Sequence, residues 1–491
     1  MRFSPNHKRL VAPFRRFREC VTSRGLTATS AAASMGGVAN GNSLSSVLAC
    51  PRCRSGPVTL ERAGWMCGAC SSGFPVIGEV PWLFPDPRQA LAEWRGRTSL
   101  LTQHLASEAA AMRAAMPGTT VAATRRRLEH VAAAHDRQVE RLHALLAPLG
   151  LDQAAISETT HLALGTRLPT EQGLTNYYVN LHRDWCWGAE ENAGSLAALS
   201  AAAGGLAGLG RTLVQGAGAG RLAYDLHAAG DAPLTVATDF NPLLLFAARE
   251  LFAGRSIELY EFPIAPRGIE DAAVARTLES PGPARAGLEL VAADALQPPF
   301  ADGAFDTVVT PWFVDIIGEP FARVASRINL LLRPGGRWIN FGSLAFSRAA
   351  HADRIGIEEA LEILPSAGFA TPVARETALP YMRSPASRHS RVETTVTWVA
   401  VKSGAPEDPP RTRLWPDWLM QAEKPVPRTA AFEMRQVSSR VHAFLLALIN
   451  GERSMRDMAR VLVEQRLATP QEAEAQVRMF LTRLYEETET Q

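Results

Sequence analysis

The chain has 491 residues, 46% of them hydrophobic and 20% charged, with a formal net charge of +2. That length exceeds what one hydrophobic core serves, and at roughly 150 residues per domain it predicts about three domains. The balanced charge gives no ground for nucleic acid or a membrane surface as partner. No run reaches the ~20 consecutive apolar residues that span a bilayer, so the chain reads as a globular protein of the cytoplasm.

Residues 1–46 are basic at first and then rich in Ser, Ala and Gly. They lack the apolar core and cleavage site of a secretory signal, and they offer too little apolar surface to bury. They read as a disordered or leader segment, with a transit peptide or a start at Met35 as the other readings.

Residues 47–87 carry Cys50, Cys53, Cys67 and Cys70 in the pattern C-x2-C-x13-C-x2-C, four of the six cysteines in the chain. Clustering of this kind speaks for metal in a reducing compartment rather than for a disulfide framework. Two knuckles of two thiolates make an all-sulfur tetrahedron, which favours a structural Zn2+ over the iron–sulfur alternative and leaves no open position for water. Residues 88–200 combine two or three amphipathic helices with a polar and aromatic stretch that includes Tyr177, Tyr178, His182, Arg183, Trp185 and Trp187.

From residue 201 to 402 strand and helix alternate, which predicts an α/β fold with helices on both faces of a sheet. The glycines of Gln215-Gly216-Ala217-Gly218-Ala219-Gly220-Arg221 allow a tight turn and a close backbone approach to a ligand, although alone they fit a dinucleotide fold or a flexible turn equally well. Asp239 ends the next predicted strand, where an acid can accept hydrogen bonds from ribose hydroxyls; Asp294 and Ala295 end a later one, where adenine would lie. The bland reading of both acids is helix capping. A proline-rich linker (403–420) leads to residues 421–491, where apolar spacing predicts helices over 438–449, 455–465 and 470–487.

The glycine loop, the two acids and Leu332-Arg333-Pro334-Gly335-Gly336 together resemble class I S-adenosylmethionine-dependent methyltransferases, with their Rossmann-like sheet. More closely, HRDWCWGAEEN, GAGAGRLAYDLHAAG, TPWFVDIIGEP and LLRPGGRWINFGSLAF resemble the carnosine N-methyltransferase family over about half the chain. That resemblance implies methylation of an imidazole nitrogen in a small molecule or peptide. It implies cofactor contacts from Arg183, Gly216, Gly218, Gly220, Arg221, Asp239, Asp294, Ala295 and Thr310. It implies Asp315 as the acid beside the acceptor, and substrate contacts from Tyr177, Tyr178, His182, Trp185, Trp312, Phe346, Ser347 and His389. The aromatic residues among these are equally readable as packing.

One departure bears on the acceptor. Where the family continues P-L-L-Y-H, this chain has Ser343-Leu344-Ala345-Phe346-Ser347, so an imidazole and a hydroxyl are missing. An O- or C-methyltransferase of a biosynthetic pathway, or a non-catalytic cofactor-binding scaffold, are the competing readings. The cysteine segment resembles the small zinc-binding activator of RNA methyltransferases, whose PV-x-x-G-x-P-x-L tail is matched in part by Pro75, Val76, Gly78, Pro81 and Leu83. The C-terminal helices resemble PqqD-like or winged-helix modules. Without a dense basic stripe they point to a protein or peptide partner rather than to DNA.

Overall fold

The computed structural model describes residues 44–62, 64–151, 177–346, 351–409 and 423–489. The chain divides into two compact units, Met1–Thr412 and Arg413–Gln491. Among the described residues no helix is long and apolar enough to cross a membrane.

The first unit opens with five short strands: β1 (Val58–Glu61), β2 (Gly64–Cys67), β3 (Gly73–Phe74), β4 (Val76–Ile77) and β5 (Val80–Pro81). Two long helices follow, α1 (Pro87–Ala115) and α2 (Ala122–Leu146). The start of α1 is fixed by Asp86, whose side chain accepts the Gln89 amide, and by Pro87 in the first turn. Then come α3 (Tyr178–His182), a π-helical turn (Arg183–Trp187) and α4 (Ala189–Ala203).

The alternating region gives β6 (Thr212–Gln215), α5 (Arg221–Ala229), β7 (Thr235–Asp239), α6 (Pro242–Phe252), β8 (Ile257–Glu261), β9 (Val274–Leu278), β10 (Leu288–Ala292), β11 (Phe305–Pro311), α7 (Phe321–Leu331), β12 (Leu332–Gly342), α8 (Ile357–Ile363), β13 (Arg375–Tyr381) and β14 (Arg391–Val401). Seven of these strands form one sheet in the order β10-β7-β6-β11-β12-β14-β13. The first five are parallel, and β14 runs antiparallel to both β12 and β13. From β6 the chain winds one way to β7 and β10, then returns to wind the other way through β11 and β12. The loops therefore part above β6 and β11, at the carboxyl ends of the strands, and a crevice opens there.

The pleat sends neighbours to opposite faces. Val214, Val309 and Ile339 pack under Leu199 of α4 and Ala223 and Leu226 of α5. Leu213, Val308 and Trp338 face Phe321, Val324 and Ile328 of α7. This is the α/β core with helices on both faces expected from the alternation. The hairpin β8–β9, inserted between α6 and β10, is an element the sequence reading did not anticipate.

The cysteine-bearing segment shares the core of the sheet. Cys50, Trp65, Cys67 and Phe74 belong to the same buried cluster as Val236, Val291 and Phe305. Its backbone joins the sheet edge: Leu83 N donates to Ala292 O (2.8 Å), Ala49 N to Pro299 O (3.0 Å), and Ala301 N to Val47 O (2.9 Å).

The second unit holds α9 (Ala430–Ala447), α10 (Met455–Glu464) and α11 (Ala473–Glu489). Thr429 caps α9 through the Phe432 amide, so the helix starts at Ala430, eight residues ahead of the expected 438, and Ser454 with Asp457 forms a capping box on α10. Leu448, Met458, Leu462 and Val477 make its small core. The described residues of this unit contain no strand and form a helical bundle.

Candidate active site

One side of the crevice is built from backbone turns at the ends of β6, β7 and β10, where the sequence predicts the cofactor. Gly216 has φ +69°, and a Cβ there would stand 2.3 Å from the Phe313 ring, so the turn demands glycine. Gly218 has φ +58° and nothing within 4 Å of its virtual Cβ: the loop faces open space there. Gly220 caps α5 in the left-handed region. The loop is tied to the neighbouring strand, Ala217 N donating to Thr238 O (2.9 Å) and Gly218 N to Asp239 Oδ2 (2.9 Å). Asp239 Oδ1 accepts the Asn241 amide (2.9 Å). Burial pushes the Asp239 carboxyl up to about 6, against the pull of these amides.

Asp294 folds its own turn, Oδ1 accepting Leu296 N at 2.9 Å. Ala295 O accepts Gln215 Nε2 at 3.1 Å, which bridges the end of β6 to the loop after β10. Gln215 Oε1 is buried without a protein partner. Sequence reasoning passed over Gln215 as mere loop flank; the visible signal was a polar residue at the buried end of the central strand.

On the other side of the crevice, Asp315 follows β11. Its Oδ2 accepts Ser343 Oγ (2.5 Å) and Ala345 N (3.0 Å), both from the segment after β12. No described residue bonds to Oδ1, which leaves that oxygen available. Ser343 stands where the resembled family has proline, so the departure noted in the sequence brings the carboxylate a donor that proline lacks. Trp312 has a left-handed backbone (φ 50°), and its N–H donates to Phe341 O (2.7 Å). Its ring lies 4.9 Å from Tyr381 at the end of β13. The Arg391 guanidinium lies over the Tyr381 ring, 4.5 Å from its centroid. Tyr381 was missed in the sequence because it comes from a distant strand.

Several expected site residues lie elsewhere. Tyr178 and His182 are enclosed in the core: the Tyr178 hydroxyl donates to Tyr260 O (2.5 Å) and accepts from Gln138 Nε2 (2.8 Å), and His182 is fully buried. Burial depresses the His182 imidazole to about 3, so it is neutral. Tyr177 packs at the edge of the same cluster. Trp185 lies behind the glycine loop, its Nε1 donating to Ala219 O (2.9 Å). Arg183 is buried in ion pairs with Asp184 (2.7 Å) and Glu191 (3.0 Å); burial opposes its charge, but these acids outweigh that and hold it protonated. Its guanidinium is thus engaged by protein. Arg221 contacts Asp225 and Asp184 O, at the start of α5.

The Thr310 hydroxyl is buried between Trp338 Nε1 (2.7 Å) and Asn340 Oδ1 (2.9 Å), on the core side of β11. Phe346 packs on Phe321 within the core, and His389 is exposed in the loop after β13. Ser347 lies outside the described residues.

The four cysteine sulfurs all lie within 4.8 Å of one another, and the Cys50–Cys70 and Cys53–Cys67 pairs stand at 3.7 Å. A tetrahedron with metal–sulfur bonds of about 2.3 Å has edges of about 3.8 Å, whereas a disulfide would bring two sulfurs to about 2.05 Å. Backbone amides support the sulfurs, Cys53 N to Cys50 Sγ (3.5 Å) and Ala69 N to Cys67 Sγ (3.4 Å). The donor set fits a single tetrahedral metal ion.

Residues 213–340 match the family described as a methyltransferase domain, a stretch that runs from β6 to β12 and contains the glycine loop, Asp239, Asp294 and Asp315. Solved structures similar to this chain include phosphoethanolamine N-methyltransferase 2 of Haemonchus contortus (16% identity, 48% of this chain and 58% of that one, TM-score 0.31). They also include the N-methyltransferase NodS of Bradyrhizobium japonicum (16% identity, 47% and 100%, TM-score 0.30). An S-adenosylmethionine-dependent methyltransferase of Mesorhizobium loti is a third (15% identity, 42% and 97%, TM-score 0.29). The chain thus spans about 58% of the length of the Haemonchus enzyme. A comparison with curated proteins returned no match. The seven-stranded sheet and the matched stretch together define a Rossmann-like methyltransferase domain over residues 213–340.

Proposed function

We propose that the protein methylates a nitrogen of an imidazole or similar heterocycle in a small molecule or peptide. The observation that carries this reading is the Asp315 carboxylate, held at Oδ2 by Ser343 and Ala345 with Oδ1 unengaged, beside the Trp312–Tyr381 pair.

The cofactor, when bound, supplies a methyl group on a sulfonium sulfur that departs as a neutral thioether. The residues present fit it: an open glycine loop at Gly218, a carboxylate at Asp239 for the ribose, and the turn at Asp294 and Ala295 for the adenine. Gln215 Oε1 is a further acceptor in reach of the loop. A neutral imidazole, with an ordinary pKa of about 6.5, already presents a lone pair near neutral pH. Asp315 selects the tautomer by accepting the opposite N–H, and it stabilises the positive charge that develops on the ring as the new N–C bond forms. The proton on that N–H leaves afterwards to solvent. Trp312 and Tyr381 offer π faces to a flat, cationic product.

We read the cysteine cluster as a structural zinc centre. Cys50, Cys53, Cys67 and Cys70 would hold the ion with no position left for substrate, so its chemistry is confined to folding the segment that pairs with residues 292–301. The C-terminal unit, PqqD-like in its sequence, is read as a binder of a protein or peptide partner. The test of the acceptor is product analysis with a panel of imidazoles and histidine-containing peptides. A methylated product on an imidazole nitrogen supports the reading; methylation at oxygen or carbon replaces it.

A further inference from the structure

The segment Arg183–Trp187 is a π-helical turn, closed by Gly188 N donating to Arg183 O at 2.8 Å. A Cβ at Gly188 would stand 2.3 Å from Arg183 O, so the wide turn depends on glycine there. Turns of this kind are rare and recur at functional sites. Here the extra residue splits the side chains of the turn between two directions.

Toward the cofactor loop, Trp185 Nε1 donates to Ala219 O (2.9 Å), and the Arg221 guanidinium lies over the Trp185 ring at 5.2 Å. Arg221 also donates to Asp184 O (2.8 Å), which accepts Asn192 Nδ2 as well (3.0 Å). Toward β13, Arg183 pairs with Glu191, and Glu191 Oε2 accepts the Met382 amide (3.0 Å). Met382 holds a left-handed backbone (φ 53°) just after Tyr381, the ring that meets Trp312. Burial raises the Asp184 and Glu191 carboxyls, and Arg183 offsets part of that; the cluster is satisfied only as a unit.

We propose that this π-helical turn is a positioning element that sets both halves of the site from one buried anchor, Trp185 fixing the end of the glycine loop and Arg183 with Glu191 fixing the end of β13 beside Trp312. It deepens the methyltransferase reading and rests on it. The consequence is coupling: cofactor binding stiffens the acceptor wall through the turn, without touching it.

The experiment uses the full chain with S-adenosylhomocysteine, measured by calorimetry and by hydrogen–deuterium exchange. Wild-type protein is expected to gain protection on binding both at the glycine loop and over residues 377–390. Trp185→Phe, which loses one buried hydrogen bond, is expected to bind about tenfold more weakly. Glu191→Gln is expected to bind within about twofold of wild type and to lose the protection over 377–390 while keeping it at the glycine loop. Wild-type affinity in Trp185→Phe, no protection over 377–390 in wild type, or protection retained in Glu191→Gln would each overturn the proposal. Should Trp185→Phe fail to fold, Glu191→Gln decides alone. Absence of binding by the wild-type protein would instead count against the methyltransferase reading itself.

Discussion

The two sides of the crevice are made in different ways. The side proposed for the cofactor is backbone: three turns at the ends of β6, β7 and β10, held by amides on Asp239 and Asp294. The side proposed for the acceptor is side chain: Asp315 from just after β11, Ser343 from beyond β12, Tyr381 from β13, each supplied by a different stretch of chain. A backbone site leaves glycines and strand-end acids at fixed offsets. A side-chain site leaves isolated residues whose meeting depends on the fold. The difference separates what serves any methyltransferase from what chooses an acceptor.

The sharpest way to break this comparison is Asp315→Ala. Turnover is expected to fall on the order of a thousandfold or more, because charge stabilisation and tautomer selection vanish together. Affinity for S-adenosylmethionine is expected to stay within about twofold, read by calorimetry. An equal loss of both would merge the two halves.

With the cysteine cluster read as a zinc centre, removal of the metal is expected to act on the other half. Cys53→Ser or a strong chelator should cost on the order of several kcal/mol of stability, since a structural metal site contributes its binding energy to folding. Cofactor affinity should fall as well, because this segment pairs with Pro299, Ala301 and Ala292 on either side of Asp294. Thermal melts alongside zinc content check the first effect and calorimetry the second; unchanged affinity in the metal-free, folded protein would confine the cysteine cluster to its own segment.

Gly216→Ala is expected to weaken cofactor binding roughly tenfold while the protein remains folded, since a left-handed turn with a methyl group against Phe313 must shift. Thermal melting near the wild-type temperature with weakened binding is the expected pair of readings. Loss of the fold instead would make the loop structural.

The smallest expected effect is on pH. In the free protein the Asp239 carboxyl is pushed up to about 6 from an ordinary 3.8. Ribose hydroxyls donate to the ionised form and so lower that value in the complex. Affinity should therefore rise with pH through about 6 and level off above it, with a loss of roughly tenfold at pH 5. Stability without cofactor has the opposite sign. The folded form holds this proton more tightly than the unfolded one, so the contribution is fully present below 3.8 and is lost as pH rises through about 6. Asp239→Asn is expected to flatten the binding profile, and a slope unchanged by that substitution would assign it to another group.

The same division governs how much was legible in the sequence. The glycine turn and the acids at or just after the ends of β7 and β10 were legible in spacing, because short-range geometry dictates those residue types; the alternation gave the α/β class but not the strand order. The four cysteines were likewise legible as a metal-fitting set, but their fusion with the core of the sheet was not, since long-range pairing leaves no local pattern. The aromatic stretch before the sheet misled for a physical reason: Tyr178 and His182 have polar tips that suit a pocket, yet the hairpin β8–β9 covers them and Tyr260 takes the tyrosine hydrogen bond. Thr310 misled likewise, its hydroxyl being spent between Trp338 and Asn340. Arg183 was expected at the cofactor and Trp185 at the substrate; the contacts of both are with protein, Trp185 with Ala219 O and Arg183 with Asp184 and Glu191.

The measurement that bears most directly on the account is mass spectrometry of the purified full chain with S-adenosylmethionine and a panel of carnosine, histidine, related imidazoles and histidine-containing peptides. The account expects a product heavier by one methyl group on an imidazole nitrogen, formed together with S-adenosylhomocysteine and lost in Asp315→Ala. Binding of the cofactor with no methylated imidazole anywhere in the panel would contradict it.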